Sequence, residues 1–400
     1  MSGYPGATGA RLPRWLLPEN WPEANNQPQL ATLHFHAAGL QFEPDHAAAP
    51  ADYLPLHGAL VLPAFIEPHA HLDKTFTIQR SPAQQPGLLA AIAAMHQDRA
   101  HWNTADLQQR ATQALRWAVE AGVGLLRTHI DWFSVDAPLA WQVIGDLYHP
   151  LCSIERVALA PLTFFADASD AQHIAAQVAT SGPGALLGGF IHSSNWDAQA
   201  FQHLMEAAEL WQLDIDLHID EELNVEAQGL RWLAHYLQQH PFSGAITCSH
   251  SCALAQQDDA QQILALLAQH NVTLIALPLT NLLLQDAVPG RTPRLRGLTL
   301  VKEAQALGIP LLLGADNVQD AFCPFGSYDP LDTLFSGLLS LQLVAAFDQA
   351  SALICQRRAL LANDLVIFPH ADVASWPLRQ RQRYRLKRGV RYGETTDGAR

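Results

Sequence analysis

The chain has 400 residues, of which 49% are hydrophobic and 16% charged, so it can bury a large core and is neither disordered nor fibrous. Its 38 acidic and 24 basic residues give a formal net charge of -14, which disfavours binding to a nucleic-acid backbone. The most basic segment, Arg379 to Arg391, is interleaved with apolar residues. We interpret it as solvated strand faces in preference to an RNA-contacting tail.

The five cysteines are scattered, odd in number and include no C-x-x-C pair, which favours reduced thiols in the cytoplasm. The N-terminus has no basic segment followed by an apolar one. No uncharged apolar stretch approaches the roughly 20 residues that span a membrane. We therefore expect a soluble cytoplasmic protein with no membrane and no nucleic-acid partner.

In chain order, residues 1–30 are rich in Pro, Gly and Asn and predict an irregular lead-in. From Leu60 onward, short β-prone runs alternate with amphipathic helical segments, which is typical of a parallel sheet with crossover helices. The clearest helix follows the cap candidate Asn103 and ends at Gly122.

The number of candidate strands favours an α/β fold of the (β/α)8 TIM-barrel type over residues 60–362. A doubly wound open sheet would give a similar alternation and stays open at this point. The predicted strands are Leu60–Phe65, Val123–Thr128, Arg156–Ala160, Leu186–Ile191, Ile215–His218, Ala245–Ser249, Val272–Ala276 and Pro310–Gly314.

The two ends of the chain remain outside this barrel. Residues 31–59 and 363–400 are predicted to pair into one small β-sandwich domain. Leu365–Phe368 and Arg388–Val390 are its candidate C-terminal strands.

Two imidazoles one residue apart, His69 and His71, leave the end of the first predicted strand. Side chains alternate along a strand, so both can reach one ion while Ala70 points away. Neutral imidazole is the commonest protein ligand for zinc and is also a suitable ligand for iron. The alternative is a pair of surface or packing histidines in a chain that holds 19 of them.

Further reactive side chains follow other predicted strands, and in barrels of this type the active site lies at the carboxyl ends of the strands. His218 ends the fifth strand, His250 follows the sixth and Asp316 follows the eighth. Three imidazoles and a carboxylate can hold one divalent metal and leave a position for water, which favours hydrolysis.

Glu221 lies three residues past His218, where a carboxylate can carry a proton between water and substrate. A solvated loop acid is the alternative for Glu221 and the favoured interpretation for Asp220 and Glu222. His250 can polarise a developing oxyanion or assist proton transfer, and a structural histidine is its alternative. His129 and His192 also sit just past strands, and we do not assign them direct chemistry.

At these residues the chain resembles the amidohydrolase superfamily, and within it the cytosine deaminase group. The resemblance runs from about Leu60 to Gly326. It rests on ordered blocks around Pro68–Asp73, Arg127–Asp131, His218 with Asp220–Glu221, Ser249–Ser251, Pro278–Asn281 with Leu284–Gln285, Arg296–Gly297, Val301–Glu303, Gly314–Val318 and Pro324–Gly326.

The resemblance implies one Fe2+ or Zn2+ ion held by His69, His71, His218 and Asp316. It also implies catalytic roles for Glu221, His250 and Asp316. Water attacks the ring carbon that carries an exocyclic amine, Asp316 accepts a water proton, and Glu221 protonates the ring nitrogen. His250 steadies the attacking water and the adduct, after which ammonia leaves.

The departures from the group concern the substrate. Cytosine deaminases carry Phe-Pro-Gln after the third strand, where this chain has Ala160-Pro161-Leu162. Asn317 stands in place of a second aspartate and Phe322 in place of a tryptophan, so Leu162, Asn317 and Phe322 are the candidate substrate-binding residues. Lys74 is similar to the branch that hydrolyses aminated triazines. Because specificity built on hydrogen bonds is steep, losing the glutamine amide should change which ring is accepted.

These observations predict a metal-dependent deaminase of a cytosine-like heterocycle, with cytosine, a 5-substituted cytosine or a related pyrimidine as the small-molecule substrate. The alternatives are hydrolysis of another aminated ring, such as a triazine or pterin, or of a cyclic or N-substituted amide. The third interpretation is a barrel that binds a heterocycle without catalysis. The intact set of metal-binding residues with Glu221 argues against it, because a binding protein has no need of a group that carries protons. A homo-oligomer is compatible with all three.

Overall fold

The strands account for one large parallel sheet and several small sheets. A computed structural model describes residues 3–46, 50–83, 85–344, 347–370 and 381–393. Its strands are β1 Gly6–Ala10, β2 Glu23–Ala24, β3 Gln27–Pro28, β4 Ala31–His36, β5 Gly39–Pro44, β6 Leu54–Pro55, β7 Leu60–Pro63, β8 Phe65–Ala70, β9 Val123–Asp131, β10 Ser153–Pro161, β11 Ala185–Ile191, β12 Ile215–Ile219, β13 Ile246–His250, β14 Val272–Ala276, β15 Leu311–Leu313, β16 Asp364–Phe368, β17 Tyr384–Lys387 and β18 Val390–Tyr392.

Most helices connect consecutive strands of the large sheet. None of the helices in the described ranges is both long and apolar enough to cross a membrane. The helices are α1 Leu88–Asp98, α2 Thr104–Glu120, α3 Leu139–Gly145, α4 Ala168–Thr180, α5 Ala198–Leu210, α6 Gly229–Gln239, α7 Ala260–Leu267, α8 Pro278–Leu284, α9 Val301–Ala306, α10 Pro330–Ser340, α11 Phe347–Ala350 and α12 Arg358–Leu361.

The large sheet runs in sequence order from β8 to β15, and every neighbouring pair is parallel. It closes through a parallel bridge between Ala70 and Asp316, where the Asp316 amide donates to the His69 carbonyl at 2.8 Å. The predicted (β/α)8 barrel is therefore confirmed, and closure excludes the doubly wound open sheet.

The first barrel strand was predicted at the wrong residues. The prediction was Leu60–Phe65, but Leu60–Pro63 forms β7, which pairs antiparallel with β16 in a small sheet. The barrel strand is Phe65–Ala70 and contains His69 itself. The apolar run misled because β7 and the start of β8 are both fully buried, so hydrophobicity does not mark where the chain passes from one sheet to the other.

The two ends of the chain build two four-stranded sheets, in the orders β5-β4-β1-β6 and β18-β17-β16-β7. They share one hydrophobic cluster, to which Leu33 contributes from the first sheet and Val61, Leu365 and Leu386 from the second. The predicted small β domain made from both termini is thus present. The predicted division into a small domain of residues 31–59 and 363–400 and a barrel of residues 60–362 remains a proposal. Strands β1 and β7 belong to the small sheets but lie outside the ranges predicted for the small domain.

Two local predictions were wrong. Residues 1–30 were expected to be irregular, yet Gly6–Ala10 forms β1 inside the first small sheet. Its small residues permit close packing, since a Cβ on Gly6 would lie 2.3 Å from the Leu33 carbonyl oxygen. Arg388 and Gly389 were expected to lie in a strand, but both have positive φ, 50° and 74°, and form the turn between β17 and β18.

Helix α2 begins and ends where the sequence predicted. The Asn103 side chain accepts a hydrogen bond from the Asp106 amide at 3.1 Å, which caps the first turn. Gly122 has φ of 96°, the left-handed conformation that glycine adopts without strain. A Cβ at Gly122 would also meet Val366 at 2.9 Å.

A buried ion pair within the second small sheet also bonds to the backbone of the barrel. The Arg385 guanidinium bonds to both carboxylate oxygens of Asp364 at 2.7 Å and donates to the carbonyls of Val123 and Leu151. Part of the basic C-terminal segment is therefore turned inward, contrary to the expected solvated strand faces. Residues 379–380 of that segment lie outside the described residues.

Arg385→Met should lower the free energy of unfolding by about 3–5 kcal/mol, because it leaves the Asp364 carboxylate buried without its partner. Chemical unfolding followed by circular dichroism measures this change. Arg116→Met is the control, since that side chain is exposed and its substitution should change stability by no more than about 0.5 kcal/mol. Equal midpoints for both variants would contradict the role assigned to the pair.

Candidate metal and active site

The residues of the predicted metal site meet at the carboxyl end of the barrel. His69 lies near the end of β8 and His71 just after it, His218 lies in β12, and Asp316 follows β15. All four side chains are buried. The alternation of β8 turns Glu67 and His69 to the same side of the strand, toward the barrel interior.

The ligand atoms lie close to one another. His218 Nε2 is 3.1 Å from His69 Nε2 and 3.2 Å from His71 Nε2. Asp316 Oδ1 is 3.1 Å from His71 Nε2 and 3.5 Å from His69 Nε2. Ligands about 2.1 Å from a tetrahedral metal are about 3.4 Å from one another. The spacing therefore fits one first-row divalent ion.

A hydrogen bond fixes the tautomer of His71, and a second hydrogen bond orients His69. His71 Nδ1 lies 3.2 Å from the His129 carbonyl oxygen, which can only accept, so Nδ1 carries the proton and Nε2 presents a lone pair. His69 Nδ1 lies 2.8 Å from Ser249 Oγ, which in turn is 3.5 Å from Asp216 Oδ1. Such partners of the second nitrogen orient metal-binding imidazoles.

Several buried polar atoms of the cluster lack a hydrogen-bond partner among the described residues. They include both carboxylate oxygens of Asp316 and His250 Nε2. A buried acceptor without a partner costs about 1–3 kcal/mol, and more if it is charged. A bound cation compensates for this cost at Asp316, so the donor set and its unsatisfied atoms both fit a metal.

Glu221 and His250 lie against this cluster. The His250 ring centroid is 5.0 Å from that of His218, and His250 Nδ1 is 3.5 Å from Glu221 Oε1. Asn281 Oδ1 accepts a hydrogen bond from His250 Nδ1 at 2.9 Å. In the neutral ring the other nitrogen, Nε2, is therefore an acceptor. Glu221 is buried, which contradicts a solvated loop acid.

The pKa values of the Glu221 and Asp316 carboxyl groups are shifted in opposite directions. Burial, followed by the negative charge of Asp316, raises the pKa of Glu221 well above the usual carboxyl range. Burial also acts to raise the pKa of Asp316, but the neighbouring His71 and His250 and the Lys74 ammonium lower it below the ordinary value. A pair of carboxyl groups split in this way can serve as proton donor and proton acceptor.

The carboxylates beside Glu221 have structural roles. Asp220 was expected to be solvated but is buried, and its oxygens accept from the amides of Gly229 and Leu230 at the start of α6. Glu222 Oε1 accepts from the amide and hydroxyl of Ser193. The local pattern of three consecutive acidic or polar residues gave no signal of which one turns inward.

His129 supports the cluster from within the barrel. Its ring stacks on His69 with centroids 3.8 Å apart, and its Nε2 lies 3.1 Å from Asp216 Oδ1. Arg127 donates to the other oxygen of Asp216 at 2.7 Å. Sequence reasoning overlooked Asp216, although an acid in the apolar run Ile215–Ile219 was a signal for a buried polar contact. His192 binds Ser194 and does not reach the cluster.

A cavity of about 220 Å³ opens above the cluster. Among the predicted residues, His71, His218, Glu221, His250, Asp316, Asn317 and Phe322 line it. Much of the remaining wall is apolar and is formed by Leu88, Ile92, Met95, Phe133, Leu159 and Phe190.

Leu162 lies outside this cavity. It begins the short 3-10 turn Leu162–Phe165, and its side chain is fully buried in the barrel core. Leu159 and Pro161 line the cavity in its place. Direct substrate contact by Leu162 therefore has no support in the geometry of the described residues.

The cavity also contains an ion pair that sequence reasoning did not predict. Lys74 Nζ lies 2.9 Å from Asp131 Oδ1 and 4.9 Å from the Phe322 ring centroid. Burial lowers the pKa of Lys74, but Asp131 and Asp73 raise it by more, so the side chain is an ammonium. The signal was present in the block Asp73-Lys74, three residues past His71.

Together, the fold and the His/Asp cluster at the carboxyl ends of its strands define a (β/α)8 barrel hydrolase. Residues 153–359 match the sequence model of the Amidohydrolase family. A pterin deaminase from Rhizobium rhizogenes (strain K84 / ATCC BAA-868) is 34% identical over 306 residues, which cover 75% of this chain and 69% of that protein. The chain belongs to the amidohydrolase family and is a hydrolase that acts on carbon–nitrogen bonds.

Two further proteins are similar to this chain. The N-isopropylammelide isopropyl amidohydrolase of Pseudomonas sp. (strain ADP) is 24% identical over 293 residues, which cover 70% of this chain and 68% of that one. The crystal structure of 5-methylcytosine deaminase from Klebsiella pneumoniae with 5-fluorocytosine superposes with a TM-score of 0.79, at 21% identity and over 98% of both chains. The second likeness is one of fold.

Ser249→Ala should weaken metal binding by about 10–100-fold, because it removes the hydroxyl that orients His69 through Nδ1. Ser251→Ala is the matched control, since the Ser251 hydroxyl is buried two residues away and has no hydrogen-bond partner among the described residues. Competition with a zinc chelator measures both affinities. Equal weakening in the two variants would contradict the orienting role.

Proposed function

We propose that this protein is a metal-dependent deaminase that removes an exocyclic amine from a pyrimidine-type heterocycle and releases ammonia. One observation carries the proposal. The Nε2 atoms of His69 and His71 each lie 3.1–3.5 Å from His218 Nε2 and from Asp316 Oδ1, beside Glu221 and His250, on the floor of a cavity with a largely apolar wall.

The metal would be held by His69, His71, His218 and Asp316. Imidazole and carboxylate ligands suit both Zn2+ and Fe2+. When bound, either ion would lower the pKa of a coordinated water from its value in bulk toward about 7, which would supply the nucleophile at neutral pH.

The protein side chains would manage the protons. Asp316, whose pKa is lowered, takes a proton from the attacking water, and Glu221, whose pKa is raised, gives its proton to the ring nitrogen. His250 is neutral because burial lowers its pKa, and its Nε2 can accept a hydrogen bond from the attacking water. The proton held by Asp316 then passes to the amine, the carbon–nitrogen bond breaks to release ammonia, and the hydroxyl proton of the adduct returns to Glu221 as the ring carbonyl forms.

The pterin ring is the first substrate to test. The relative that is 34% identical is a pterin deaminase, and the cavity offers apolar surface at Ile92, Met95 and Phe133 for the second ring of a fused heterocycle. Cytosine and 5-substituted cytosines are the next candidates. N-substituted triazines are the alternative substrates, because another relative is an N-isopropylammelide isopropyl amidohydrolase.

The experiment is to purify the protein, quantify bound metal and screen pterins, cytosine, 5-methylcytosine, isoguanine and amino-triazines for ammonia release. About one metal per chain, with ammonia from one ring class, supports the proposal and separates iron from zinc. Release of an alkylamine from an N-substituted triazine supports the alternative. Metal-loaded protein that releases neither would overturn both. Light scattering on the same sample measures the oligomeric state.

Glu221→Gln should lower kcat by about 10²–10⁴-fold while bound metal stays near that of the parent, because the amide cannot donate the carboxyl proton. Glu222→Gln is the control, since the adjacent side chain retains its acceptor for Ser193 and lies outside the proton route. Steady-state kinetics with metal analysis measures the effect. A Glu221→Gln enzyme with near-normal kcat would refute the proton-donor role.

A further inference from the structure

The Lys74–Asp131 ion pair takes no part in the proton transfers described above, yet both side chains line the cavity. Their side chains are only 6% and 11% exposed. Two opposite charges taken out of water are costly unless their remaining hydrogen-bonding capacity is also used. The pair therefore needs further polar partners.

The described residues supply few such partners. Lys74 Nζ has three hydrogens, and its only ion-pair partner there is Asp131 Oδ1. No hydrogen bond from a described residue reaches Asp131 Oδ2. The neighbouring Asp73 bonds to the Asp131 backbone amide and not to its carboxylate. Two hydrogens of the Lys74 ammonium and one carboxylate oxygen of Asp131 thus remain available on neighbouring groups that face the same cavity.

The backbone around the pair is fixed. The amides of Lys74 and Thr75 both donate to the His71 carbonyl, which forms a turn directly after the candidate metal ligand. Asp73 Oδ2 accepts from the Asp131 amide at 3.0 Å, and Arg110 donates to the Asp73 carbonyl at 2.8 Å. The donor and acceptor are therefore held in place before a substrate arrives.

Among the other polar residues of the cavity wall, Trp132 Nε1 has no hydrogen-bond partner in the described residues, whereas two asparagines already bond to the protein. The Asn317 amide donates to Asp320 at 2.7 Å. Asn195 accepts from the His192 amide and donates to the Phe190 carbonyl. His96 lies at the exposed mouth, and Leu162 lies outside the cavity.

We infer that Lys74 and Asp131 together bind a lactam edge of the substrate, with the ring carbonyl oxygen accepting from Lys74 Nζ and the adjacent ring N–H donating to Asp131 Oδ2. The inference rests on the proposed function and deepens it. The substrate class becomes an aminated heterocycle that also carries –NH–C(=O)– in the ring. A ring without that group leaves both charges unsatisfied, which is how polar sites reject analogues.

The test compares matched rings that differ in the lactam. Pterin is paired with 2-aminopteridine, and cytosine with 4-aminopyrimidine, in kcat/KM measurements on the metal-loaded enzyme. Lys74→Met should lower kcat/KM for the lactam ring by about 10–100-fold, the usual effect of a hydrogen bond to a charged group. The ring without the lactam should change by less than about threefold, so the discrimination between the rings falls.

Two further variants protect the test from a folding defect. Lys74→Met with Asp131→Asn removes both charges of the pair together, and it should show the same loss of discrimination. Lys302→Met is the control for the substitution type, because Lys302 is exposed and distant from the cavity wall, and it should change neither rate. A purely structural role for the pair would lower both rates equally, and that outcome would overturn the inference.

Calorimetric binding of the same ring pairs separates this inference from the proposed reaction. Tighter binding of the lactam ring that is lost in Lys74→Met supports the inference even if the parent enzyme releases no ammonia. Turnover of both rings with equal loss in the variant supports the reaction and overturns the inference. Failure of the parent enzyme to bind or turn over any of these rings overturns both.

Discussion

The closure of the barrel is the constraint on which the rest of the structure depends. The Asp316 amide donates to the His69 carbonyl at 2.8 Å, and the buried Glu67 Oε1 accepts from the amides of His69 and Ala315 at 3.2 and 3.0 Å. The bonds from the Asp316 and Ala315 amides join the end of the last strand to the first strand at the level of the metal site, and the His69 amide holds Glu67 in place. The sequence separates His69 from Asp316 by most of the barrel, and closure alone makes them neighbours. A carboxylate beneath the two ligands thus fixes their backbone before any ion binds.

The carboxyl-end rim of the barrel, where the metal ligands lie, also contains strained backbone conformations and buried unpaired polar atoms. Barrel closure and packing must hold these residues in place. His250, Asp316 and Asp220 have φ of 69°, 62° and 53°, conformations that cost of order 1–3 kcal/mol for residues other than glycine. Asp316 and His250 bury polar atoms that have no hydrogen-bond partner in the part of the chain that the structure describes. Such costs cluster at functional sites, and a bound cation and substrate would satisfy the unpaired atoms. The support layer of His129 and Asp216 beneath the ligands gives the rim its rigidity.

The sequence predicted the barrel and the spacing of its histidines because both follow from local rules. Alternation along a strand put His69 and His71 within reach of one ion, and strand ends placed His218 and Asp316 at the same rim. It did not predict the start of the first barrel strand, since two buried strands follow one another without a polar residue between them.

The pocket walls were harder to predict than the strand ends. Leu162 is one residue past a strand, yet the 3-10 turn directs it into the core. The ion pair of Lys74 with Asp131 joins residues far apart in the sequence, and the parallel pairing of β8 with β9 brings them together. Loop side chains point where tertiary packing allows, which no periodicity encodes.

The position of the metal tests the central claim most directly. Anomalous scattering from crystals of the metal-loaded protein should give one peak about 2.0–2.2 Å from the Nε2 atoms of His69, His71 and His218 and from the Asp316 carboxylate. His69, His129 and Asp216 form a second group whose atoms also lie within 4.8 Å of one another. A peak at that group, or no peak after reconstitution, would contradict the account of a four-ligand site at the rim of the barrel.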